Sequence, residues 1–260
     1  MIDIHCHILP GVDDGAQSDE EAIALIRKEV QGGTRAFIAT PHFIERRDYD
    51  RLRDVGERVE RLNRVVSDAE IEAEIYPGGE IYPTAAMFEA MDKGVSITLA
   101  GKGRHMLVDL PMGSLPHDFD QILYEIQVRG IVPILAHPER CAPFQEEPDR
   151  LQEYLQRGIV CQVNARSLVG KYGPRAIEVA KLILRRRWAH FLASDGHRAS
   201  SEPVLGTAYA MLVPTLGAEY VDLLTRRSAA QVLQGEALPE LPAAPPQPEQ
   251  KGWLSRLLRK

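Results

Sequence analysis

Short apolar runs alternate with amphipathic stretches along most of this chain. The apolar runs are rich in β-branched residues, and their lengths suit buried parallel strands rather than helices. Seven strand candidates occur in the order IDI, RAFIAT, IEAEIYP, HMLVDL, IVPILAH, IVCQVNA and HFLAS. Because helical patterns separate most of them, the sequence predicts an α/β fold with a parallel sheet.

The helical stretches carry start and stop signals. Ser18 and Glu21 form a capping box, the apolar positions that follow repeat at the helical period, and Gly32 ends the pattern. Further helices are predicted from about Asp50 to Ser67 and over the segments FDQILYEIQVRG, EEPDRLQEYLQRG and PRAIEVAKLILRRR.

Two architectures suit this alternation, an α/β barrel and an open, doubly wound sheet. A doubly wound sheet concentrates its ligand chemistry at one switch point, whereas polar residues here follow nearly every strand. We therefore predict a barrel of seven strands, within a domain that covers residues 1–235.

The composition changes after that domain. Prolines among Ala, Gln and Glu make residues 236–250 a predicted extended linker. Residues 251–260 place Trp253 and three leucines on one face of a short basic helix. We hypothesise that this tail makes weak contact with a membrane surface; the alternative is a frayed tail, or one docked on its own domain.

Charge and composition exclude several classes of protein. The chain has 260 residues, 31 basic and 37 acidic, with a formal net charge of −6, so it lacks the electrostatic footprint of a nucleic-acid-binding protein. It shows no secretory leader and no run of about 18 apolar residues, so we expect a cytoplasmic protein. Cys6, Cys141 and Cys161 lack metal-binding spacing and are expected to be free and buried.

Residues able to bind metal follow six of the seven predicted strands. His5 and His7 lie two apart at the end of the first strand, so both imidazoles reach the same side. The full candidate set is His5, His7, Asp14, His42, Glu80, Asp109, His137, Asp195 and His197. Five imidazoles and four carboxylates exceed what one tetrahedral ion needs, so two or three ions are implied, and Mn, Fe or Zn would suit these ligands.

A centre with several metal ions favours hydrolysis of a phosphate ester. Arg140 and Arg198 each lie just beyond a candidate ligand, and we predict that both bind the substrate phosphate. A cysteine-based phosphatase is disfavoured, because no arginine stands six positions after any of the three cysteines. His105, His117 and His190 are expected to have structural roles.

The motifs DIHCHILPGVDDG, ATPHF, PGGEIY, LVDLP, ILAHPER, VNARSLVGKYG and FLASDGH, between residues 3 and 197, carry a family resemblance. In these segments the chain resembles the PHP (polymerase and histidinol phosphatase) superfamily. Within it the chain is similar to the metal-dependent protein tyrosine phosphatases of bacterial capsule synthesis. The resemblance implies a distorted, TIM-like (β/α)7 barrel with a trinuclear, usually manganese-supported site.

The resemblance also implies a ligand arrangement and a substrate. By matching position, His5, His7, Glu80 and Asp195 would hold one ion, Glu80, Asp109 and His137 a second, and Asp14, His42 and His197 a third. The family usually has Glu where this chain has Asp109, which is one methylene shorter. The implied substrate is phosphotyrosine on a membrane-associated tyrosine autokinase that controls capsule or exopolysaccharide assembly.

Two other hypotheses stay open. One is a PHP phosphoesterase that acts on a small phosphate monoester such as histidinol phosphate. The other is a catalytically silent regulator that keeps the barrel and binds a kinase. The full ligand set disfavours the silent regulator, and a comparison of phosphotyrosyl peptide with small phosphate monoesters would separate the two enzyme hypotheses.

Overall fold

The structure is a computed structural model that describes residues 1–44, 48 and 53–244. Nine strands are found among these residues, and every pairing between them is parallel. They are β1 (Ile2–Cys6), β2 (Ala36–Ala39), β3 (His42–Phe43), β4 (Glu74–Pro77), β5 (Glu80–Ile81), β6 (His105–Val108), β7 (Val132–Ala136), β8 (Val160–Asn164) and β9 (Phe191–Ala193). The predicted α/β fold with parallel strands is therefore confirmed.

The strands form two sheets. One sheet has the order β1-β2-β4, and the other has the order β3-β5-β6-β7-β8-β9. The seven predicted strands correspond to β1, β2, β4, β6, β7, β8 and β9. The short strands β3 and β5 were not predicted, and they begin the second sheet directly after β2 and β4 have ended in the first.

Local chemistry explains why the chain changes sheets at these two points. Pro41 has no N–H for a ladder, but its carbonyl accepts a 3.0 Å hydrogen bond from the N–H of Glu80. A Cβ on Gly78 would lie 2.7 Å from Ile38 Cγ2, and one on Gly79 would lie 2.8 Å from the Phe43 ring. Only glycine allows this close approach, so the Gly-Gly pair brings β5 against β3.

The two sheets meet along β1 and β9 and share an apolar interior. The N–H of Asp195 donates to the carbonyl of His5 over 2.9 Å, and the N–H of His7 donates to the carbonyl of Gly196 over 2.8 Å. One buried cluster takes side chains from strands of both sheets, among them Ile4, Ile38, Leu107, Ile134 and Phe191. A larger cluster packs the outer faces of the strands against the helices.

The helices found among the described residues are α1 (Asp19–Gln31), α2 (Val55–Asp68), α3 (Ala85–Asp92), α4 (Phe119–Val128), α5 (Ala142–Glu146), α6 (Arg150–Gln156), α7 (Ala165–Leu168), α8 (Gly173–Arg185), α9 (Val204–Leu216), α10 (Ala218–Asp222) and α11 (Ser228–Gln234). The predicted caps of α1 are confirmed, because Ser18 Oγ accepts a hydrogen bond from the Glu21 N–H and Gly32 is the C-terminal cap. The predicted start of α2 near position 50 falls in residues 49–52, outside the described part of the chain.

One predicted helix is wrong in its extent. Within the segment from 146 to 158, only Arg150–Gln156 forms a helix of its own, α6, while Glu146 is the last residue of α5. Pro148 accounts for the break, because it lacks an N–H and its ring disfavours helical backbone at Glu147.

The C-terminal part of the described chain adds helical structure that was not predicted. Helices α9, α10 and α11, with a π-helical segment at Leu223–Arg227, follow β9. Leu238 and Leu241, beyond α11, are half-buried and pack against the two core clusters. The predicted tail at 251–260 and the linker residues 245–250 lie outside the described residues. No helix within the described ranges is long and apolar enough to cross a membrane.

Candidate metal centre

All nine candidate ligands lie where parallel strands end. His5 belongs to β1, His7 and Asp14 follow it, His42 opens β3, Glu80 opens β5, Asp109 follows β6, His137 follows β7, and Asp195 and His197 follow β9. His5, His7, Glu80, His137 and Asp195 are at most 2% exposed. Buried imidazoles and carboxylates in such density need a shared partner, because each would otherwise lose its hydration without compensation.

Four ligand-type atoms converge beside β1. His5 Nε2 lies 3.2 Å from His7 Nε2 and from Glu80 Oε2, and 3.5 Å from Asp195 Oδ1. His7 Nε2 lies 3.4 Å from both of these carboxylate oxygens. His5, His7 and Glu80 form a group with ligand spacing, and Asp195 Oδ1 lies within 3.5 Å of both histidines. Imidazole and carboxylate ligands of this kind would suit a divalent transition metal.

Glu80 also faces two further histidines. Its Oε2 lies 3.0 Å from His42 Nδ1, and its Oε1 accepts a 3.0 Å hydrogen bond from His137 Nε2. His42 Nδ1 lies 3.6 Å from Asp109 Oδ2, so His42, Glu80 and Asp109 form a second group with ligand spacing. Among the described residues, the buried atoms Glu80 Oε2 and His42 Nδ1 have no hydrogen-bond partner. Orphaned atoms of this kind suit a second cation.

A third group lies at the mouth of the site. Asp14 Oδ1 is 3.3 Å from His197 Nε2 and 3.7 Å from His42 Nε2, and its side chain is 70% exposed. The ring of His197 stacks on that of His7 with 3.9 Å between centroids. These four residues together have the spacing of a metal site, and its exposed carboxylate opens it to solvent.

The electrostatics of the cluster reflect its mixture of imidazoles and carboxylates. Burial opposes the ionisation of Glu80, yet His5, His137 and His42 hold its pKa well below the usual range. Burial also opposes protonation of His42, but Asp109 and Glu80 raise its pKa to about 10. The carboxylates of Glu80 and Asp109 attract positive charge to the site, whether as protons or as metal cations.

The backbone is adapted to this crowding. His137 and Asp195 adopt left-handed conformations with φ of 37° and 49°, which side chains other than glycine seldom adopt. A Cβ on Gly15 would lie 2.1 Å from the carbonyl oxygen of His7. Only glycine therefore lets the loop after β1 fold back and bring the two aspartates before it to the site.

The two adjacent aspartates of that loop have different contacts. Asp13 Oδ2 accepts a 2.7 Å hydrogen bond from His7 Nδ1 and a 3.0 Å bond from the N–H of His42. Burial opposes ionisation of Asp13, but the bond from His7 lowers its pKa to about 2. Gln162 Oε1 likewise lies 3.0 Å from His5 Nδ1. Both contacts fix the imidazole with Nε2 directed at the centre of the cluster.

Three hydrogen-bond donors lie around Oδ2, the carboxylate oxygen of Asp195 that faces away from the histidines. This oxygen accepts 2.6 Å hydrogen bonds from Arg140 Nη1 and from Asn164 Nδ2, and the Tyr172 hydroxyl lies 3.4 Å away. Burial opposes the ionisation of Asp195, but the charges of His5 and its neighbours hold its pKa far below the usual range. Asp195 is therefore an anion with one oxygen directed at the histidines and one at Arg140.

The two predicted phosphate-binding arginines have different environments. Arg140 lines a cavity of about 230 Å³ together with six of the candidate ligands and with Leu110, Pro111 and Met112. Arg198 is exposed, and its carbonyl accepts a hydrogen bond from Arg166 Nη2. The structure thus brings Arg140 to the cluster, whereas Arg198 is not among the residues that line this cavity.

Four supporting residues were not predicted from the sequence: Asp13, Gln162, Asn164 and Tyr172. Asn164 ends β8, the one predicted strand followed by neither a histidine nor a carboxylate. A polar residue at this strand end could therefore have been predicted to lie at the site. Tyr172 lies eight residues further on, so only its contacts in the fold reveal its place.

The residues assigned structural roles lie away from the cluster. His105 and His190 begin or precede strands, and burial lowers the pKa of each to about 4. Cys6, Cys141 and Cys161 are free and buried, as predicted, and the Cys6 thiol donates to the carbonyl of Ile38. Burial raises the pKa of Cys6 further above its usual value, which makes it a poor nucleophile.

Comparison with known proteins identifies the family. The chain is 30% identical to the tyrosine-protein phosphatase YwqE of Bacillus subtilis over 234 residues, which cover 87% of this chain and 92% of that protein. It is 29% identical to the tyrosine-protein phosphatase CpsB of Streptococcus agalactiae serotype V over 248 residues, covering 90% and 98% of the two chains.

A solved structure agrees with these relatives. It comes from a study of YwqE of Bacillus subtilis and CpsB of Streptococcus pneumoniae, described there as unique metal-dependent tyrosine phosphatases. It superposes with a TM-score of 0.83 at 28% identity and covers 95% of this chain and 100% of that one. The family model for capsular polysaccharide synthesis, CpsB/CapC, matches residues 1–234. The resemblance found in the motifs is thereby confirmed, and the chain belongs to the CpsB/CapC family.

Proposed function

We propose that this chain is a metal-dependent protein tyrosine phosphatase of bacterial capsule or exopolysaccharide synthesis. The observation that carries the proposal is the cluster of imidazoles and carboxylates at the strand ends, which contains three groups with the spacing of metal ligands. The relatives that are similar over most of their length are named tyrosine-protein phosphatases. The two sheets, joined along β1 and β9, form the distorted seven-stranded barrel of this proposal.

The nine candidate ligands would hold two or three ions. His5, His7, Glu80 and Asp195 would hold the first, and Glu80 would take part in a second with Asp109 and with His137 or His42. Asp14, His42 and His197 would hold a third at the mouth. Nitrogen and oxygen ligands without thiolate suit manganese, iron or zinc, and we propose manganese on the family resemblance.

The reaction cleaves the bond between phosphorus and the tyrosine oxygen. Water adds its oxygen to phosphorus, and the products are inorganic phosphate and tyrosine. Divalent ions, when bound, would act as Lewis acids: they would lower the pKa of water toward neutral pH and offset the charge on the phosphoryl oxygens. The guanidinium of Arg140 binds those oxygens, and Arg198 approaches from the exposed side. Tyrosine is an acidic alcohol with a pKa of about 10, so its oxygen leaves without a dedicated general acid.

The substrate is a phosphotyrosine-bearing protein. The site is an open cavity with an exposed carboxylate, Asp14, at its mouth, so a side chain on a flexible protein segment can enter it. The physiological substrate of this proposal is the tail of a membrane-associated tyrosine kinase, and the segment 251–260 brings the enzyme to the membrane surface.

The test is phosphate release from a phosphotyrosyl peptide, with Mn²⁺ added or EDTA present. We expect Mn²⁺-dependent release that EDTA abolishes, and a loss of at least about 100-fold in His137→Ala. His117→Ala, outside the cluster, is the matched control and should retain activity. Release from small phosphate monoesters but not from the peptide would contradict the proposal, and so would release that is unchanged by EDTA.

A further inference from the structure

One sequence motif has no role in the mechanism above. The segment from Val163 to Gly173 contains the end of β8, helix α7 and the loop before α8. It brings Asn164 and Tyr172 to Asp195 and Arg140. Because both ends of this segment contact the Arg140–Asp195 pair, it does more than connect β8 to α8.

Tyr172 makes two contacts at once. The Cζ atom of Arg140 lies 4.0 Å from the centroid of the Tyr172 ring, and the Tyr172 hydroxyl lies 3.4 Å from Asp195 Oδ2. The guanidinium therefore lies over the aromatic face while its Nη1 donates to the same carboxylate oxygen over 2.6 Å. The contact of the guanidinium face with the ring and the hydrogen bond from its edge to Asp195 together fix both the position and the orientation of this planar cation.

This arrangement leaves Arg140 able to bind an anion. A guanidinium has five N–H groups, and Asp195 is the only hydrogen-bond acceptor found for those of Arg140 within the described ranges. The side chain of Arg140 is 19% exposed and lines the cavity beside the candidate metal ligands. Without the Tyr172 ring, the hydrogen bond to Asp195 would still hold Nη1, but the plane of the guanidinium could rotate about it, and binding phosphate would require ordering that plane each time.

We propose that Tyr172 is a positioning residue that presents the Arg140 guanidinium to the phosphate of the substrate through its aromatic face. This inference rests on the proposed function. The ring is the essential part, because the hydroxyl contact of 3.4 Å is too long to contribute much. Asn164 supports the same geometry, since its Nδ2 donates to Asp195 and its Oδ1 caps helix α7 by accepting from the Arg166 N–H.

The experiment compares Tyr172→Phe with Tyr172→Met. Tyr172→Phe keeps the aromatic face, and its KM for phosphotyrosyl peptide should stay within about twofold of the wild-type value. Tyr172→Met removes the face, and its KM, together with the inhibition constant of inorganic phosphate, should rise about 5- to 20-fold. Calorimetric titration of each Mn²⁺-loaded protein with inorganic phosphate gives the same comparison without turnover. Tyr172→Leu replaces the methionine variant if that variant does not fold.

A merely structural role predicts a different pattern. Lower stability would reduce kcat by reducing the folded fraction, and would leave KM and phosphate affinity unchanged. Tyr209 provides the matched control, since Arg226 lies 5.3 Å over its ring and neither residue lines the cavity at the cluster. Tyr209→Met should therefore reproduce the wild-type KM and phosphate affinity.

A double-mutant cycle with Arg140→Lys completes the test. A lysine cannot stack as a plane, so Tyr172→Met should add less than twofold to the KM of Arg140→Lys. Full additivity of the two effects would overturn the inference, as would equal phosphate affinity in Tyr172→Phe and Tyr172→Met. If the wild-type protein releases no phosphate from peptide, the proposed function fails, while the titration with inorganic phosphate still decides the role of Tyr172.

Discussion

At the scale of single residues, the site contains candidate metal ligands and other side chains that orient them. Asp13 and Asp14 are neighbours in sequence, yet Asp14 faces His197 and His42 at the open mouth, and Asp13 accepts from His7 and from the backbone of His42. The Nδ1–H of His7 is thus held by a carboxylate, and its Nε2 is left free for an ion. Such outer contacts set both the tautomer and the basicity of a ligand.

Asp13→Asn should weaken the centre without removing a ligand. The amide keeps the shape of the carboxylate but loses the charge that favours His7 with its proton on Nδ1. We expect kcat/KM for phosphotyrosyl peptide to fall about 10- to 100-fold at limiting Mn²⁺, with partial recovery at high Mn²⁺. Metal titration followed by activity and by calorimetry measures both effects.

The control is Asp19→Asn, which removes a carboxylate paired with Arg61 at the start of α1. It should leave the Mn²⁺ requirement unchanged. An Asp13→Asn protein with wild-type Mn²⁺ affinity and activity would show that the hydrogen bond to His7 does not matter for metal binding.

The residue scale also shows what the sequence could reveal. The clustering of the nine candidate ligands was predictable because each lies at or just after the end of a predicted strand, and parallel strands bring their ends to one edge. Tyr172 was not predictable, because it follows a helix and a glycine-containing loop whose path depends on tertiary packing. Asp13 was hidden by Asp14, since a run of two carboxylates does not reveal which one faces the ions.

At the scale of elements, helices α1 and α9 are joined by a buried carboxylate. Glu29, in the last turns of α1, accepts hydrogen bonds of 2.8 Å and 3.1 Å from the N–H groups of Val204 and Leu205 at the start of α9. Its side chain caps the N-terminus of another helix and is 3% exposed. The helices can approach closely there, because Gly206 lies directly against the backbone of Gly32.

This contact predicts a pH-dependent stability. Burial raises the pKa of Glu29 to about 7, opposed by its hydrogen bonds to the two backbone N–H groups. Between the ordinary carboxyl pKa of about 4.5 and pH 7, the folded protein keeps a proton that the unfolded chain has lost, so the free energy of unfolding falls as pH rises. Relative to Glu29→Gln, the wild-type protein should lose on the order of 2 kcal/mol of stability between pH 5 and 7.5.

Urea unfolding at constant metal concentration across this pH range measures the difference between the two proteins. Other titrating groups are common to both proteins and cancel. Glu178→Gln, on the exposed face of α8, is the control and should follow the wild-type curve, because water screens its charge. Parallel curves for Glu29→Gln and wild type would contradict the assigned cause.

Elements with local signals were predictable and those without were not. The Ser18 cap and the apolar period of α1 were predicted correctly, but the Glu21 carboxylate accepts from the N–H of Gln17 rather than of Ser18, so the capping box is incomplete. Pro148 gave a signal for the break between α5 and α6. Helix α9 has few polar positions and contains Pro214, so it lacks the periodic contrast that predicts a surface helix. Its position is set by Glu29 and Gly32, which are distant in sequence.

At the scale of the whole molecule, the two sheets share one apolar interior, and the ends of their strands bring the candidate metal ligands to one edge. The apolar period predicts strands but does not reveal their partners, so the change of sheet at Pro41 and at Gly78 could not be foreseen. These two changes bring His42 and Glu80 beside each other, in register between β3 and β5. The irregular part of the fold therefore assembles the centre of the metal cluster.

The extent of the folded body is a further property of the whole molecule. The composition predicts a domain that ends at residue 235, but Leu238 and Leu241 pack against the core clusters beyond that point. Both are half-buried, so together they contribute about 1–2 kcal/mol. A chain cut after residue 235 should melt about 2–8 °C below a chain cut after residue 244, with the full-length protein as the reference for both.

Calorimetry of the three chains tests this, with phosphopeptide activity at 25 °C as the second readout. All three should have equal activity, because residues 236–244 do not line the metal cluster, and the full-length Leu238→Ser/Leu241→Ser variant should melt like the shorter chain. Equal melting of all three chains would place the boundary at 235 and make both leucine contacts energetically neutral. A loss of activity in the chain cut after residue 235 would instead mean that these contacts hold the barrel and its rim in shape, which couples the two ends of the molecule.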